Sequence, residues 1–241
     1  MRVGDRGALK NFVLDLVAAS KDLPSAQFKL AKLIIQLRDS HSIRTDLTLA
    51  HDFVGTMELI REQAAEAEAG NHTENSFLAL LLSALLLYVR ATKTTSRYRA
   101  SFDFRKEYDA EENVKHTMLC RLRDEAVAHF GPGGVVNSPA FQEDAVFLAH
   151  LPDGSGQVFS ASRRSVITPQ LITDLCQMVH RALILADKRT QTLNEKVVEK
   201  LNEELAQNPS LAKVFQEHAI DLAGWVGGDE WYGEVLETCC P

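Results

Sequence analysis

Residues 77–89 read FLALLLSALLLYV, the most apolar run of the chain, and they decide the fold. A helix that is apolar around its whole circumference is typical of one buried on nearly all sides. The run has 13 residues, whereas a membrane-spanning helix needs about 20. It therefore predicts the central helix of a protein core and no association with a membrane.

The regions on both sides of this run repeat apolar residues at spacings of three and four, which predicts further helices. Their approximate ranges are 7–19, a helix from 25, 46–69, 108–130, 169–207 and 210–222. The period changes to two around residues 144–162, where Pro152–Gly156 resembles the turn of a β-hairpin. We expect an all-α, up-and-down helical bundle with one inserted β-hairpin.

Length and composition fit one large domain or two small ones, since the chain has 241 residues, 45% of them hydrophobic. We predict a helical bundle over residues 1–190, with the hairpin at about 144–162. Residues 191–241 then form a C-terminal helical extension and an acidic tail that holds both tryptophans.

Charge and cysteine content narrow the class of protein. A net charge of −7 excludes a general nucleic-acid coat protein, because such domains are usually basic. The four cysteines contain no pair with a two-residue gap, so they indicate neither a redox motif nor a disulfide scaffold. The N-terminus lacks the apolar stretch of a signal peptide. We expect a cytoplasmic protein.

A basic segment at residues 90–106 contrasts with the acidic chain, because it holds six cationic side chains and a single acid. Arg97, Arg99 and Arg105 are candidate contacts to RNA phosphates. An aromatic residue such as Tyr98 or Phe102 could then stack on a base. The alternative is an ordinary solvated turn whose aromatic residues pack into the core.

Residues 122–130, LRDEAVAHF, form the candidate catalytic segment at the end of a predicted helix. The imidazole of His129 can exchange protons near neutral pH. The guanidinium of Arg123 fits phosphate oxygens. Together they suit RNA cleavage by the ribose 2′-hydroxyl, a reaction that requires no metal or other cofactor. The alternative is a solvated helix face that ends in a capping histidine.

The spacing of these two residues points to more than one copy of the chain. Arg123 and His129 are six positions apart, which places them about 120° apart around a helix axis. Two copies meeting helix to helix would bring two arginines and two histidines into one groove. We therefore expect a homodimer.

At these residues the sequence resembles the HEPN superfamily, whose hallmark is an arginine, a polar residue and a histidine four to six positions after the arginine. Arg123, Asp124 and His129 match that pattern, and LRDEAVAHF is similar to the LRNK..AH form of abortive-infection proteins. The resemblance covers about residues 25–190.

This resemblance implies a dimeric helical bundle with Arg123, Asp124 and His129 as catalytic residues of a metal-independent endoribonuclease. It also implies a toxin or phage-defence role and a neutralising antitoxin partner, for which residues 225–241 offer a docking element. Asp124 replaces the usual asparagine and Glu125 follows it. Both departures favour the alternative, a non-catalytic dimerisation or interaction module.

One further arrangement concerns metal binding. His116 and Cys120 are four positions apart on one predicted helix, and Cys176 and His180 are four apart on another. If the two helices lie side by side, the four residues could bind zinc. The alternative is that the cysteines serve as small core residues and the histidines are half-buried.

Overall fold

The computed structural model describes residues 12–66, 71–93, 96, 98–124, 142–150, 156–164 and 168–221. The helices are α1 (Leu16–Ala19), α2 (Phe28–Glu66), α3 (Asn71–Thr92), α4 (Ala110–Leu122), α5 (Pro169–Gln207) and α6 (Leu211–Gln216). The strands are β1 (Phe12–Leu14), β2 (Gln142–His150), β3 (Gly156–Arg164) and β4 (Ala219–Asp221). The mostly helical fold with an inserted hairpin, predicted from the sequence, is confirmed.

Helix α2 is a single helix of 39 residues, whereas the sequence predicted two helices across the same region. The residues between the two predicted helices contain no glycine or proline that would end a helix. In addition, Ser40, Ile43 and Leu47 are buried along this part of α2. Because one face of the polar segment packs inward, the helix continues through it.

Two short strands occur where helices were predicted. β1 replaces part of the helix expected over 7–19, and β4 replaces the end of the helix expected over 210–222. The strands pair antiparallel, with Val13 opposite Ile220. Each of these strands forms because it pairs with a segment about 200 positions away in the sequence. The local spacing of apolar residues cannot reveal such a distant partner.

The chain forms two compact units. The terminal unit contains residues up to 38 and from 191, and the central unit contains residues 39–190. The prediction also placed a boundary after residue 190 but assigned residues 1–38 to the bundle. The terminal unit has its own small apolar core. Its buried members are Ala19, Leu30, Ile34, Val197, Leu211 and Phe215.

The larger core lies in the central unit, and α3 contributes a continuous set of residues to it. These are Leu81, Ala84, Leu85, Tyr88, Val89 and Ala91. Helices α2, α4 and α5 supply further buried residues, including Leu47, Leu119 and Val179. The apolar run at residues 77–89 therefore belongs to the core of this unit, as its composition predicts.

Among the described helices, α3 is the one with a stretch long and apolar enough to cross a membrane by length and composition. This stretch, Asn75–Thr92, has 18 residues, because the helix extends beyond the apolar run seen in the sequence. In the structure 44% of the stretch is buried, so the helix contributes to the core along part of its surface and is not buried on nearly all sides as predicted.

Candidate nucleic-acid interface

The basic segment, residues 90–106, is held against α2 by hydrogen bonds to the buried carboxylate of Asp46. Arg90 Nε donates a hydrogen bond to Asp46 Oδ2 at 2.9 Å, and Arg99 Nη1 donates to the same oxygen at 2.7 Å. Arg99 Nη2 also donates to the backbone oxygen of Arg90 at 2.6 Å. The Arg99 side chain is only 15% exposed. Arg99, predicted as an RNA contact, therefore holds this segment in place.

Aromatic packing anchors the next residues of the segment. Phe104 is fully buried, and its ring centroid lies 4.5 Å from that of Phe102. The guanidinium of Arg189 lies 4.6 Å from the centroid of the Phe102 ring. Phe102 is thus packed by the protein itself, whereas Tyr98 is 70% exposed.

The turn after Phe104 presents Arg105 to solvent. Asn113 Nδ2 donates to the backbone oxygens of Arg105, Tyr108 and Asp109 at 3.2, 3.0 and 2.9 Å. Asp109 is also the N-cap of α4, with its side chain accepting from the backbone nitrogen of Glu112 at 2.8 Å. Because the turn is tied to α4, the position of Arg105 relative to α4 is determined.

A cleft of about 510 Å³ opens between the end of α3, the basic segment and α4. Most of its lining residues are polar, and they include three cations and two acids. The lining residues are Thr92, Lys93, Ser101, Phe102, Asp103, Arg105, His116, Thr117, Cys120, Arg121 and Asp124. Two residues predicted from the sequence, Arg105 and Asp124, thus line the same cleft.

Asp124 connects two of the cations at one side of the cleft. Lys93 Nζ donates to Asp124 Oδ2, and Arg123 Nη1 donates to Asp124 Oδ1 at 2.9 Å. The hydrogen bond from Lys93, and then that from Arg123, lowers the pKa of Asp124. Asp124 is therefore ionised at neutral pH and partly neutralises both cations.

Arg123 lies directly after α4 and is half-buried. Its Nε atom is buried and has no hydrogen-bond partner among the described residues. The predicted catalytic partner, His129, lies outside the described residues, and so does Arg97. The structure therefore places Arg105 and Asp124 in the cleft and Arg123 against Asp124, outside the residues that line the cleft, and it leaves the Arg123–His129 pairing as a prediction.

His116 lies between the cleft and the core. Its side chain is only 4% exposed, and its Nδ1 lies 2.9 Å from the hydroxyl of Tyr88. Burial, and then the charges of Arg105 and Lys93, lowers the pKa of His116 to about 4. A neutral imidazole can both donate and accept hydrogen bonds at neutral pH.

Cys120 shares the wall of the cleft with His116, and their Sγ and Nε2 atoms lie 3.6 Å apart. Burial raises the pKa of the Cys120 thiol to about 11, which keeps it from acting as a thiolate nucleophile at neutral pH. Among the described residues no three His, Cys, Asp or Glu side chains are grouped to hold a metal. His116 and Cys120 thus do not join Cys176 and His180 in a zinc site.

The depressed pKa of His116 predicts a pH dependence of stability. As the pH falls from about 6.5 to about 4, the unfolded chain takes up a proton at this position before the folded chain does, so folding becomes less favourable. Denaturant unfolding at pH 7 and pH 4.5 should show that His116→Gln loses less stability than wild type. Equal losses, or titration of the His116 ring near pH 6.5 by NMR, would contradict this assignment.

Sequence reasoning missed Lys93, Arg121 and His116 as members of the cleft. The signal available for α4 was a polar stripe at spacings of four, with His116 and Cys120 in one row and Thr117 and Arg121 in the next. Lys93 had no such signal, because the path of the chain after α3 places it there.

Comparisons of this chain with protein-family models, curated proteins and solved structures found no match.

Proposed function

We propose that this protein binds RNA in the basic cleft and cleaves it without a metal, as an endoribonuclease of the HEPN type. The supporting observation is the local excess of positive charge. Lys93, Arg105 and Arg121 line the cleft of a chain whose net charge is −7. Because the rest of the protein is acidic, positive charge concentrated in one cleft favours binding of an anion at that cleft. It does not favour non-specific binding of polyanions over the whole surface.

The acids in the cleft are already partnered. Asp124 accepts hydrogen bonds from Lys93 and Arg123, and Asp103 lies 3.2 Å from the ammonium of Lys106. Among the described residues no carboxylate forms an ion pair with Arg105. Its guanidinium therefore provides the charge with which a phosphate would interact most strongly.

The size of the cleft fits the proposal. A volume of about 510 Å³ lies within the range of roughly 300–1,000 Å³ that small-molecule sites occupy. It suits one nucleotide of a single strand, with the neighbouring nucleotides passing over the exposed rim. Tyr98, which is 70% exposed in the basic segment, is the aromatic residue we propose to stack on a base.

The proposed reaction is transesterification by the RNA itself. The ribose 2′-oxygen forms a bond to phosphorus, and the bond from phosphorus to the 5′-oxygen breaks. A base accepts the 2′-proton and an acid donates a proton to the leaving 5′-oxygen. The products are a 2′,3′-cyclic phosphate and a 5′-hydroxyl, and the transition state carries additional negative charge on the phosphate oxygens.

We assign these tasks on the basis of the sequence pattern and the resemblance. Arg123 would stabilise the phosphate charge, and His129 would act as the base or the acid. In a homodimer the two copies of His129 could divide the two proton transfers. Asp124 would orient Arg123, because the structure shows a hydrogen bond between them.

A second candidate is the non-catalytic dimerisation or interaction module. It is favoured by the state of Arg123, whose guanidinium is paired with Asp124 and whose Nε is buried. An arginine held in this way has less freedom to engage a phosphate. In this case the cleft binds its ligand, and no cleavage follows.

The RNA-binding part of the proposal predicts a specific loss in the Arg105→Ala variant. Its affinity for single-stranded RNA should fall uniformly across sequences, and the slope of log affinity against log salt should decrease by about 1. Fluorescence anisotropy at several salt concentrations measures both quantities.

Lys29→Ala is the matched control, since Lys29 is an exposed cation on α2 that does not line the cleft. It should retain the wild-type affinity and slope. If Arg105→Ala and Lys29→Ala have the same small effect, the cleft is not the binding site.

The resemblance further suggests a biological setting, which we also propose. The protein would act in the cytoplasm as a toxin or phage-defence effector, and an antitoxin partner would neutralise it. Isolation of the intact chain from its native cells, with any bound protein identified by mass spectrometry, would test for that partner.

A further inference from the structure

The carboxylate of Asp124 bridges two cations that belong to different parts of the fold. Lys93 directly follows α3, and Arg123 directly follows α4. Lys93 Nζ donates a hydrogen bond to Asp124 Oδ2, and Arg123 Nη1 donates one to Asp124 Oδ1 at 2.9 Å. Each oxygen of the carboxylate is thus bound by a different cation.

A phosphate group offers these two cations the same contacts as the carboxylate does. The two non-bridging oxygens of a phosphodiester share a negative charge, and they accept hydrogen bonds from lysine and arginine. Lys93 and Arg123 are therefore arranged to bind one anionic group through two of its oxygens. In the structure the chain itself supplies that group, because Asp124 lies between the two cations.

Asp124 is placed where a ligand of the cleft would meet it. Lys93 and Asp124 line the cleft, whereas Arg123 is not among the lining residues and is hydrogen-bonded to Asp124. The Asp124 side chain is 33% exposed, so it can turn away from the cations into water. Because exposed ion pairs are weak, an anion in the cleft can displace it at small cost.

We propose that Asp124 occupies a phosphate subsite formed by Lys93 and Arg123, and that a phosphate of the RNA displaces Asp124 when it binds. In the free chain Asp124 competes with the ligand for the two cations. After its displacement Arg123 meets the phosphate directly. The inference rests on the proposed function, from which it takes the phosphate of RNA as the ligand.

A purely structural role for Asp124 predicts the opposite result. If the carboxylate only joined the ends of α3 and α4, its loss would loosen the cleft and weaken the binding of an anion. If the carboxylate competes with the ligand, its loss strengthens binding, because a larger fraction of the chains has both cations available. The direction of the change in affinity therefore separates the two roles.

The Asp124→Asn variant tests the proposal. Its affinity for single-stranded RNA should rise about 3- to 10-fold in a fluorescence anisotropy titration, because the amide carries no charge to hold the two cations. Asp124→Glu retains the charge and should bind RNA with the wild-type affinity. Circular dichroism should show that both variants keep the wild-type helix content.

Asp103→Asn is the matched control for the loss of a negative charge. Asp103 also lines the cleft, but it pairs with Lys106, which is not among the lining residues. This substitution should raise the affinity for RNA at most about twofold, because the charge of an exposed side chain is screened by solvent. Equal gains in Asp103→Asn and Asp124→Asn would reduce the effect to general electrostatics and overturn the proposal.

A double-mutant cycle with Lys93 shows whether Asp124 and the ligand compete for the same cation. In the wild-type background Lys93→Met should lower RNA affinity only slightly, because Asp124 already holds the ammonium group. In the Asp124→Asn background the same substitution should remove most of the gain. Equal losses in the two backgrounds would mean that the two residues are not coupled, which contradicts the proposal.

Inorganic pyrophosphate, titrated by isothermal calorimetry, separates this inference from the proposed function. Asp124→Asn should bind pyrophosphate more tightly than wild type. If it does and neither chain binds RNA, the subsite stands and the RNA proposal falls. If wild type binds RNA and Asp124→Asn binds it equally or more weakly, the subsite falls and the RNA proposal stands. If neither chain binds either anion, both proposals fall.

Discussion

The His129→Ala variant is expected to cleave RNA about 100- to 10,000-fold more slowly than the wild-type chain, which is the usual contribution of a general acid or base. The proposed mechanism assigns the transfer of the 2′-proton or of the proton to the 5′-oxygen to this imidazole, so its removal should slow the chemical step. Arg123→Ala should cause a loss of similar size, because it removes charge stabilisation of the transition state. Single-turnover cleavage of a labelled RNA measures both rates.

The double variant provides a stricter test. If Arg123 and His129 act on the same transition state, the double variant should be little slower than the slower single variant. His180→Ala is the matched control, because its exposed imidazole on α5 does not line the cleft. Wild-type rates in His129→Ala would remove this residue from the mechanism.

The second large effect concerns Asp46, the carboxylate that holds the basic segment against α2. Asp46→Ala should lower the free energy of unfolding by about 2–4 kcal/mol. The Asp46 side chain is only 10% exposed, and its removal leaves the guanidinium of Arg99 without its carboxylate partner. Urea unfolding followed by circular dichroism measures the loss.

Asp187→Ala is the control for this prediction. Asp187 pairs with Arg44, but both side chains are about half exposed, so the pair should contribute at most about 1 kcal/mol. RNA affinity should fall in Asp46→Ala and not in Asp187→Ala, because Asp46 also positions the segment that forms the cleft. Equal destabilisation by the two substitutions would contradict the structural role of Asp46.

Local sequence patterns predicted much of the fold. The apolar run at residues 77–89 becomes the centre of α3 because no other location hides so many apolar side chains. Thr168–Pro169 begins α5, where the backbone nitrogen of Leu171 donates to Thr168 Oγ1 at 3.2 Å. The glycine-containing turn and the change of period predicted the hairpin.

Features that depend on distant residues could not be predicted in this way. The pairing of β1 with β4 joins the two ends of the described chain. The two helices predicted over α2 merge because the polar residues between them find buried partners, such as Ser40 with Thr190 at 2.8 Å. These partners lie far away in the sequence.

The candidate site was predicted only in part, because it too depends on contacts between residues that are distant in the sequence. Arg105 and Asp124 were identified by charge and by motif, and the structure places both in one cleft. Arg99 belongs to the same basic segment but is bound to Asp46, which its residue type alone could not reveal. A count of basic residues indicates a positive region, and only their partners decide which of them are available to a phosphate.

The most direct test of the central claim is the incubation of purified wild-type chain with single-stranded RNA in the presence of EDTA. We expect cleavage that EDTA does not inhibit, with 2′,3′-cyclic phosphate and 5′-hydroxyl ends on the products. RNA that binds the chain and remains intact, or cleavage that stops in EDTA and returns with added magnesium, would contradict the claim of metal-independent cleavage.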